Sequence, residues 1–213
     1  MPGHPTRMAK PPDPQRNIPR QDRARRTVEA FFEATAQLLN GGPDSAVTTN
    51  RIAERAGFSI GTLYRYFSGK PSLFTAMAIH EMDRQEREVC AALADTRADT
   101  VADIVRLAVR PALGAFKGRT IVRAKLVRAA LGIPGMGERY EQMITAISRA
   151  LVVAVTTKAL DCTHHPSPAA EFIMMRGVIG AIRSDVVFGD GNRVGTVEFE
   201  DALIESVSLH FTR

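Results

Sequence analysis

Three small or apolar residues at fixed offsets, Ala53, Gly57 and Leu63, constrain this chain more than any other feature. Thr48 can cap a short helix that contains Ala53, and Gly57 can take the left-handed backbone conformation that ends this helix. Ser59 can cap a second helix, in which Leu63 points back to the core. A small residue, a glycine and an aliphatic residue at these offsets are typical of a helix-turn-helix, whose second helix lies in the DNA major groove.

The outward positions of the second helix carry hydroxyls, aromatic rings and one arginine, which suit contacts with phosphates and base edges. These positions are Ser59, Ile60, Thr62, Tyr64, Arg65 and Tyr66. Two of the three tyrosines of the chain lie here. The alternative is a helical hairpin with a coincidental glycine, but the tyrosine pair and the continuation Lys-Pro-Ser-Leu-Phe at 70–74 argue against it.

The net charge of +5 is confined to the N-terminus. Residues 1–26 carry seven basic and two acidic side chains, whereas both signs balance in residues 27–75 and again in 76–213. Such an arm is either a solvated tail or a segment that follows a polyanion such as DNA. Six prolines and no apolar segment in residues 1–20 argue against a signal peptide.

Apolar side chains recur at helical spacing along the rest of the chain, and no alternating strand pattern is evident. The pattern predicts an all-α protein of about nine helices, near residues 23–39, 49–56, 60–67, 71–94, 100–116, 120–131, 137–160, 169–188 and 197–211. Charged residues interrupt every apolar stretch before 18 residues, so we expect no membrane span. The two cysteines, Cys90 and Cys162, lie too far apart for a disulfide-stapled scaffold.

Residues 47–74 resemble the DNA-binding domain of TetR-type (tetracycline-repressor-like) bacterial regulators. The resemblance rests on Ile-Ala-x-x-Ala-Gly at 52–57, Ser-x-Gly-Thr-Leu-Tyr-x-Tyr-Phe at 59–67 and Lys-x-x-Leu-Phe at 70–74. It implies that Thr48 and Thr49 touch the DNA backbone, that residues 59–66 lie in or beside the groove, and that Lys70 holds a phosphate. The resemblance covers about residues 21–80, which we expect to be the DNA-binding domain with its motif at 48–67. Before it we expect a flexible, basic, Pro-rich arm over 1–20, and after it an effector-binding and dimerisation domain over 81–213.

Two C-terminal helices are candidates for a dimer interface, since small residues allow close helix approach and an apolar stripe accompanies them. The candidates are Phe172, Gly177, Gly180, Ala181, Ser184, Phe199, Leu203 and Val207. The alternative is that these residues pack within one chain. The resemblance favours a four-helix bundle built from this pair in each subunit.

Soft apolar side chains of the middle helices are candidates for an effector pocket, although methionine at helical spacing also suits an ordinary core. The candidates are Met82, Leu107, Phe116, Met136, Tyr140, Met143, Met174 and Met175. Basic residues at 119, 123, 125 and 128 could hold an anionic effector, but a solvated helix face is the favoured interpretation.

The resemblance implies a homodimeric repressor in the bacterial cytoplasm, bound to a palindromic operator on the nucleoid and released by a small, apolar effector. The alternatives are a TetR-like activator, or an all-α ligand-binding protein or enzyme that only contains a helix-turn-helix. No acid/base or nucleophile constellation supports an enzyme, and we expect no cofactor. Cys162, His164 and His165 lack a fourth ligand, so we expect no metal site.

Overall fold

The computed structural model describes residues 18–40, 47–114, 136–188 and 192–212. Within these ranges the chain is all-α, as predicted, and no strand occurs. The described helices are α1 (Ile18–Asn40), α2 (Thr49–Arg55), α3 (Ile60–Tyr66), α4 (Lys70–Asp95), α5 (Val101–Gly114), α6 (Met136–Lys158), α7 (Pro168–Arg183) and α8 (Val197–Ser208). A short π-helix, Ser184–Phe188, continues α7.

Most helix boundaries lie close to the predicted ones. The helix predicted near 120–131 lies outside the described residues, as do the first seventeen residues of the proposed arm. α1 begins at Ile18, so the last three residues of the proposed arm, 18–20, are helical. None of the described helices is long and apolar enough to cross a membrane.

The turn between α2 and α3 forms as the spacing predicts. The Thr48 side chain accepts a hydrogen bond from the Arg51 N–H, and Ser59 does the same for Thr62, so both helices are capped. Gly57 has a φ of 76°, in the left-handed region. Its N–H bonds to the carbonyl of Glu54, which closes the end of α2.

The N-terminal core places α3 against α1 and α2. Leu63 and Ile52 are fully buried, and Phe31 of α1 packs its ring against those of Phe58 and Phe67. The first turns of α4 add Leu73 to the same core. One face of α3 is therefore fixed to the protein and its opposite face is left in solvent.

The C-terminal core is built around α4, α5 and α6, with α7 and α8 packed on them. Val89 and Leu93, in the second half of α4, belong to this core and not to the N-terminal one. One continuous helix of 26 residues thus contributes to both cores.

Ionic contacts hold α6 against α4 at two places. The guanidinium of Arg139 bonds to Asp83 at 2.5 Å and to Glu86 at 2.7 Å. Lys158 donates from Nζ to the carbonyls of Leu93, Ala94 and Thr96 at the C-terminal end of α4, at 2.6–3.2 Å. Its positive charge there also complements the helix dipole.

A pair of glycine substitutions tests the turn geometry. Gly57→Ala should lower the free energy of unfolding by about 1–2 kcal/mol, because alanine is strained in the left-handed region. The cost is conformational, since a Cβ at Gly57 would meet nothing within 4 Å. Gly61→Ala, inside α3, should raise the free energy of unfolding by about 0.5–1 kcal/mol. Chemical denaturation at one protein concentration measures both, and equal effects would contradict the turn.

Candidate DNA-binding surface and ligand cavity

The solvent face of α3 is formed by residues spaced one helical turn apart. Gly61, Tyr64 and Arg65 are exposed, whereas Leu63 between them is buried. The Tyr64 side chain has 53% of its surface exposed, the largest exposure of an aromatic side chain among the described residues of the N-terminal core region. This face can enter a groove of about 12 Å width without any change in the core behind it.

Two pairs of hydroxyls orient the polar side chains of this face. The hydroxyls of Thr49 and Tyr64 lie 3.3 Å apart, which connects the first turn of α2 to the middle of α3. The hydroxyls of Ser59 and Thr62 lie 2.9 Å apart at the start of α3. Thr49 and Tyr64 are therefore held together although fifteen residues separate them in sequence.

Aromatic rings support the cationic side chains at the edge of this surface. The Arg65 guanidinium lies 5.5 Å from the centre of the Tyr66 ring, and Lys70 Nζ lies 5.4 Å from that of Phe74. Tyr66 and Ile60 are half-buried against the N-terminal core, so each offers only part of its side chain to a ligand. Lys70 is the first residue of α4, where the amide groups also favour an anion.

The nine predicted DNA-contacting residues all lie on the α2–α3 unit or at the start of α4, and none of them is fully buried. Thr48, Ser59, Tyr64 and Arg65 are exposed there, and the other five are partly buried. Most of these groups are uncharged hydrogen-bonding side chains with an apolar component. Such groups can read base edges by geometry, while Arg65 and Lys70 supply charge for phosphates.

A cavity of about 450 Å³ lies between α4, α5, α6 and α7, and most of the residues that line it belong to the C-terminal core. Its lining is mostly aliphatic, with Val105, Ala108 and Val109 from α5 and Ile144 and Ile147 from α6. A small organic molecule would fit a cavity of this volume and lining.

Five of the eight predicted effector-pocket residues line this cavity: Met82, Met136, Tyr140, Met143 and Met175. Leu107 and Met174 do not line it; Met174 is buried in the C-terminal core, and Leu107 packs against that core from its surface. Phe116 and the basic residues at 119, 123, 125 and 128 lie outside the described residues.

The cavity also has a polar corner, formed by Tyr140, Glu141, Arg176 and Arg183. Arg176 forms a salt bridge with Glu141, and its guanidinium stacks 4.7 Å from the centre of the Phe172 ring. Burial raises the pKa of the Tyr140 phenol, and the nearby Arg183 and Arg176 lower it by less. The phenol is therefore neutral at pH 7 and available as a hydrogen-bond donor.

The sequence did not reveal the polar corner, because Arg176 and Arg183 counted there only among the charged residues that interrupt apolar stretches. They are seven residues apart, a spacing that places both on one face of a helix. That spacing was the only sign in the sequence that the two arginines act together. Which residues this face contacts depends on the packing of α6, which precedes α7 in the chain.

The predicted dimer-interface residues fall into two groups. Phe172, Gly177 and Gly180 of α7 form an exposed stripe that continues to Ser184 at the start of the π-helix. Ala181 is partly buried beside this stripe, and Ile173 joins it with 65% of its side chain exposed. On α8, Phe199 is partly buried against the C-terminal core.

The prediction that Leu203 and Val207 lie at the dimer interface is wrong, because both are buried in the core of their own chain, at 7% and 2% exposure. They leave no surface for a partner. The stripe 199–203–207 therefore faces inward, and the exposed large apolar residues here are Val197, at the start of α8, and Leu209, just past its end.

Within the described residues, no group of three or more histidine, cysteine or acidic side chains is arranged to hold a metal ion. Cys162 and Cys90 are both free thiols there. Burial and the nearby Glu86 raise the pKa of the Cys90 thiol, which makes it a poor nucleophile.

The family model that matches this chain covers the segment that carries the candidate DNA-binding surface. Residues 31–77 match the family model described as bacterial regulatory proteins, tetR family. An uncharacterized HTH-type transcriptional regulator of Mycobacterium tuberculosis is 36% identical over 75 residues, which is 34% of this chain and 37% of that protein. The HTH-type transcriptional repressor KstR of Rhodococcus jostii is 39% identical over 54 residues, 25% of this chain and 26% of that protein. The chain thus matches between about a quarter and little more than a third of the length of these relatives.

Solved structures extend the similarity of fold to both domains. The transcriptional regulator FadR of Bacillus subtilis, solved in complex with stearoyl-CoA, superimposes with a TM-score of 0.59 at 14% identity. The superposition covers 85% of this chain and 95% of that one. The matched segment contains the helix-turn-helix, and the described helices after it follow the fold of such regulators. Residues 31–77 thus match the tetR family of bacterial regulatory proteins, and the rest of the described chain shares the fold of the solved regulator.

Proposed function

We propose that this chain is a TetR-type regulator, and specifically a homodimeric, sequence-specific DNA-binding repressor that is released from its operator by a small molecule bound in the cavity. The observation that carries the DNA-binding part is the solvent face of α3, where Tyr64 is held by Thr49 beside two exposed or half-exposed cations. The presence of a repressor among the relatives supports the direction of regulation. Such a protein acts in the bacterial cytoplasm, on the nucleoid when bound.

Two recognition helices related by a two-fold axis would read half-sites about 34–36 Å apart, or a multiple of that distance. The operator is then a palindrome. Uncharged side chains of α3 would provide most of the sequence discrimination, and Lys70 and Arg65 would provide backbone affinity.

The exposed stripe of α7 supports a homodimer. Phe172 and Ile173 are 61% and 65% exposed, and small residues continue their line toward the end of the helix. Apolar and small residues in one line permit close approach of a second helix, which would cover the exposed rings and aliphatic groups. The outward face of α8 would complete this surface.

The cavity supports an effector site. The FadR structure with stearoyl-CoA shows that a protein of this fold can hold a ligand with a long apolar chain. Here the cavity touches α4 at Ala78, Met82 and Gln85, so a bound molecule contacts the helix that leads directly to Lys70. A ligand that fits better when α4 has moved would shift the population away from the operator-bound state.

Salt dependence separates backbone contacts from base contacts. A duplex enriched from a random library by the wild-type protein serves as the probe. Lys70→Gln should weaken binding and reduce the slope of log K against log [salt] by about 0.9 for each phosphate that is no longer neutralised. Tyr64→Phe should weaken binding about threefold to tenfold and leave that slope unchanged, because it removes a hydroxyl but no charge.

The matched control is Arg97→Gln, since Arg97 is exposed near the opposite end of α4, about 40 Å from Lys70 along the helix. It should change neither the affinity nor the slope. Failure of the wild-type protein to enrich any duplex would contradict sequence-specific binding, and an unchanged slope in Lys70→Gln would remove Lys70 from the interface.

A charge placed on the α7 stripe tests the dimer. Ile173→Lys should weaken self-association at least tenfold in sedimentation equilibrium, because a lysine would be desolvated between two apolar surfaces. Val153→Lys is the control, since Val153 is similarly exposed, at 60%, but lies on α6. A monomeric wild-type protein at micromolar concentration, or equal effects of both variants, would contradict the proposed interface.

Enlarging a side chain that lines the cavity tests whether the cavity has room for additional atoms. Ala108→Leu adds three carbon atoms to the cavity wall and should change the free energy of unfolding by less than about 1 kcal/mol. Ala154→Leu, at a buried position of α6 that does not line the cavity, should lower it by about 1–3 kcal/mol. Chemical denaturation compares the two, and an equal decrease in both would contradict an open cavity.

A further inference from the structure

Arg183 differs from the other charged residues that line the cavity. The carboxylate of Glu141 is bonded to Arg176, and that of Glu81 is bonded to Arg84 at 2.9 Å. Among the described residues, no carboxylate lies within ion-pair distance of Arg183. The cavity therefore keeps a positive charge at its polar corner, while its two acidic residues are already neutralised.

Tyr140 adds a neutral donor beside this charge. Its phenol lines the cavity and makes no hydrogen bond with another described residue. Burial keeps the phenol protonated by raising its pKa, so its O–H can donate to an oxygen of a bound molecule. A guanidinium and a neutral phenol together match the acceptor oxygens of a carboxylate.

The rest of the cavity selects an apolar body. Val105, Ala108 and Val109 form the wall on α5, and Ile144 and Leu151 form that on α6. None of these side chains can form a hydrogen bond, so a polar group placed against them would lose its hydration without compensation. The polar groups of the ligand must therefore be concentrated at one end.

We propose that the cavity binds an amphipathic carboxylate, with its head group at Arg183 and Tyr140 and its apolar chain against α5 and α6. This inference rests on the proposed function only in taking the cavity as the effector site. It assigns a charge to the ligand, whereas the apolar lining alone would suit an uncharged molecule. The volume of about 450 Å³ suits a ligand of the size of a medium-chain fatty acid.

Isothermal titration of the full-length protein with three matched ligands tests the head group. Laurate, dodecanol and dodecylammonium share one alkyl chain and differ only at the end. Laurate should bind at least tenfold more tightly than dodecanol, because a hydrogen bond to a charged partner is worth more than a neutral one. Dodecylammonium should bind more weakly than dodecanol, because Arg183 repels it.

Variants at residue 183 test whether the preference for laurate over dodecanol depends on Arg183. Arg183→Gln should reduce the affinity for laurate about tenfold and change that for dodecanol by less than twofold, and Arg183→Lys should recover part of the affinity for laurate. Tyr140→Phe should also weaken laurate more than dodecanol. Arg149→Gln is the control, since Arg149 is an exposed arginine of α6 that does not line the cavity. Circular dichroism confirms that each variant is folded.

Three results would overturn the inference. These are equal binding of laurate and dodecanol, an unchanged preference in Arg183→Gln, and tighter binding of lauroyl-CoA than laurate that does not depend on Arg183. The last result would move the anionic contact to the phosphates of a coenzyme A ester. Binding of the enriched duplex is measured separately, so a protein that binds laurate but no DNA would contradict the proposed function and leave this site intact.

Discussion

The arrangement of both domains depends on one constraint, which is that α4 is a single helix shared by two hydrophobic cores. Leu73 anchors its first turns among the rings around Phe31, and Val89 and Leu93 anchor its second half among α5 and α6. Neither half can change its tilt without disturbing a close-packed core. A rigid rod is thereby fixed at one end beside the DNA-binding surface and along its other half beside the cavity.

The contacts of α4 with α6 are unevenly distributed along this rod, and the distribution matters for coupling. Arg139 holds Asp83 and Glu86 near its middle, and Lys158 holds the carbonyls at its C-terminal end. Ala78 and Met82, just before these contacts, form a small apolar cluster with Met136, and Met82 also packs against the C-terminal core. The cavity also reaches α4 at Ala78 and Met82, so a bound molecule would contact the helix between its two cores.

How much the sequence could predict depended on whether the interactions are local. The α2–α3 turn is decided by caps and a glycine within twenty residues, so Thr48, Gly57 and Ser59 could be assigned correctly. The cavity depends on which faces of α5, α6 and α7 meet. The methionines indicated part of the cavity lining. Leu107 and Met174 are equally apolar but do not line the cavity. Leu203 and Val207 failed as interface residues for the same reason, because an apolar stripe does not reveal which neighbour covers it.

The polar corner lies on α6 and α7, whereas Ala78 and Met82 lie on α4, and this division between helices limits how any effector can act. A ligand changes the conformational equilibrium only by the difference between its affinities for the two states. Contacts with Arg183 fix one end of an amphipathic carboxylate, and these contacts need not change when α4 moves. The difference in affinity between the two conformations must then come from the apolar chain of the ligand, where this chain contacts Ala78 and Met82. In such a site, the head group would determine whether a molecule binds, and the length and shape of its apolar chain would determine how strongly it acts on DNA binding.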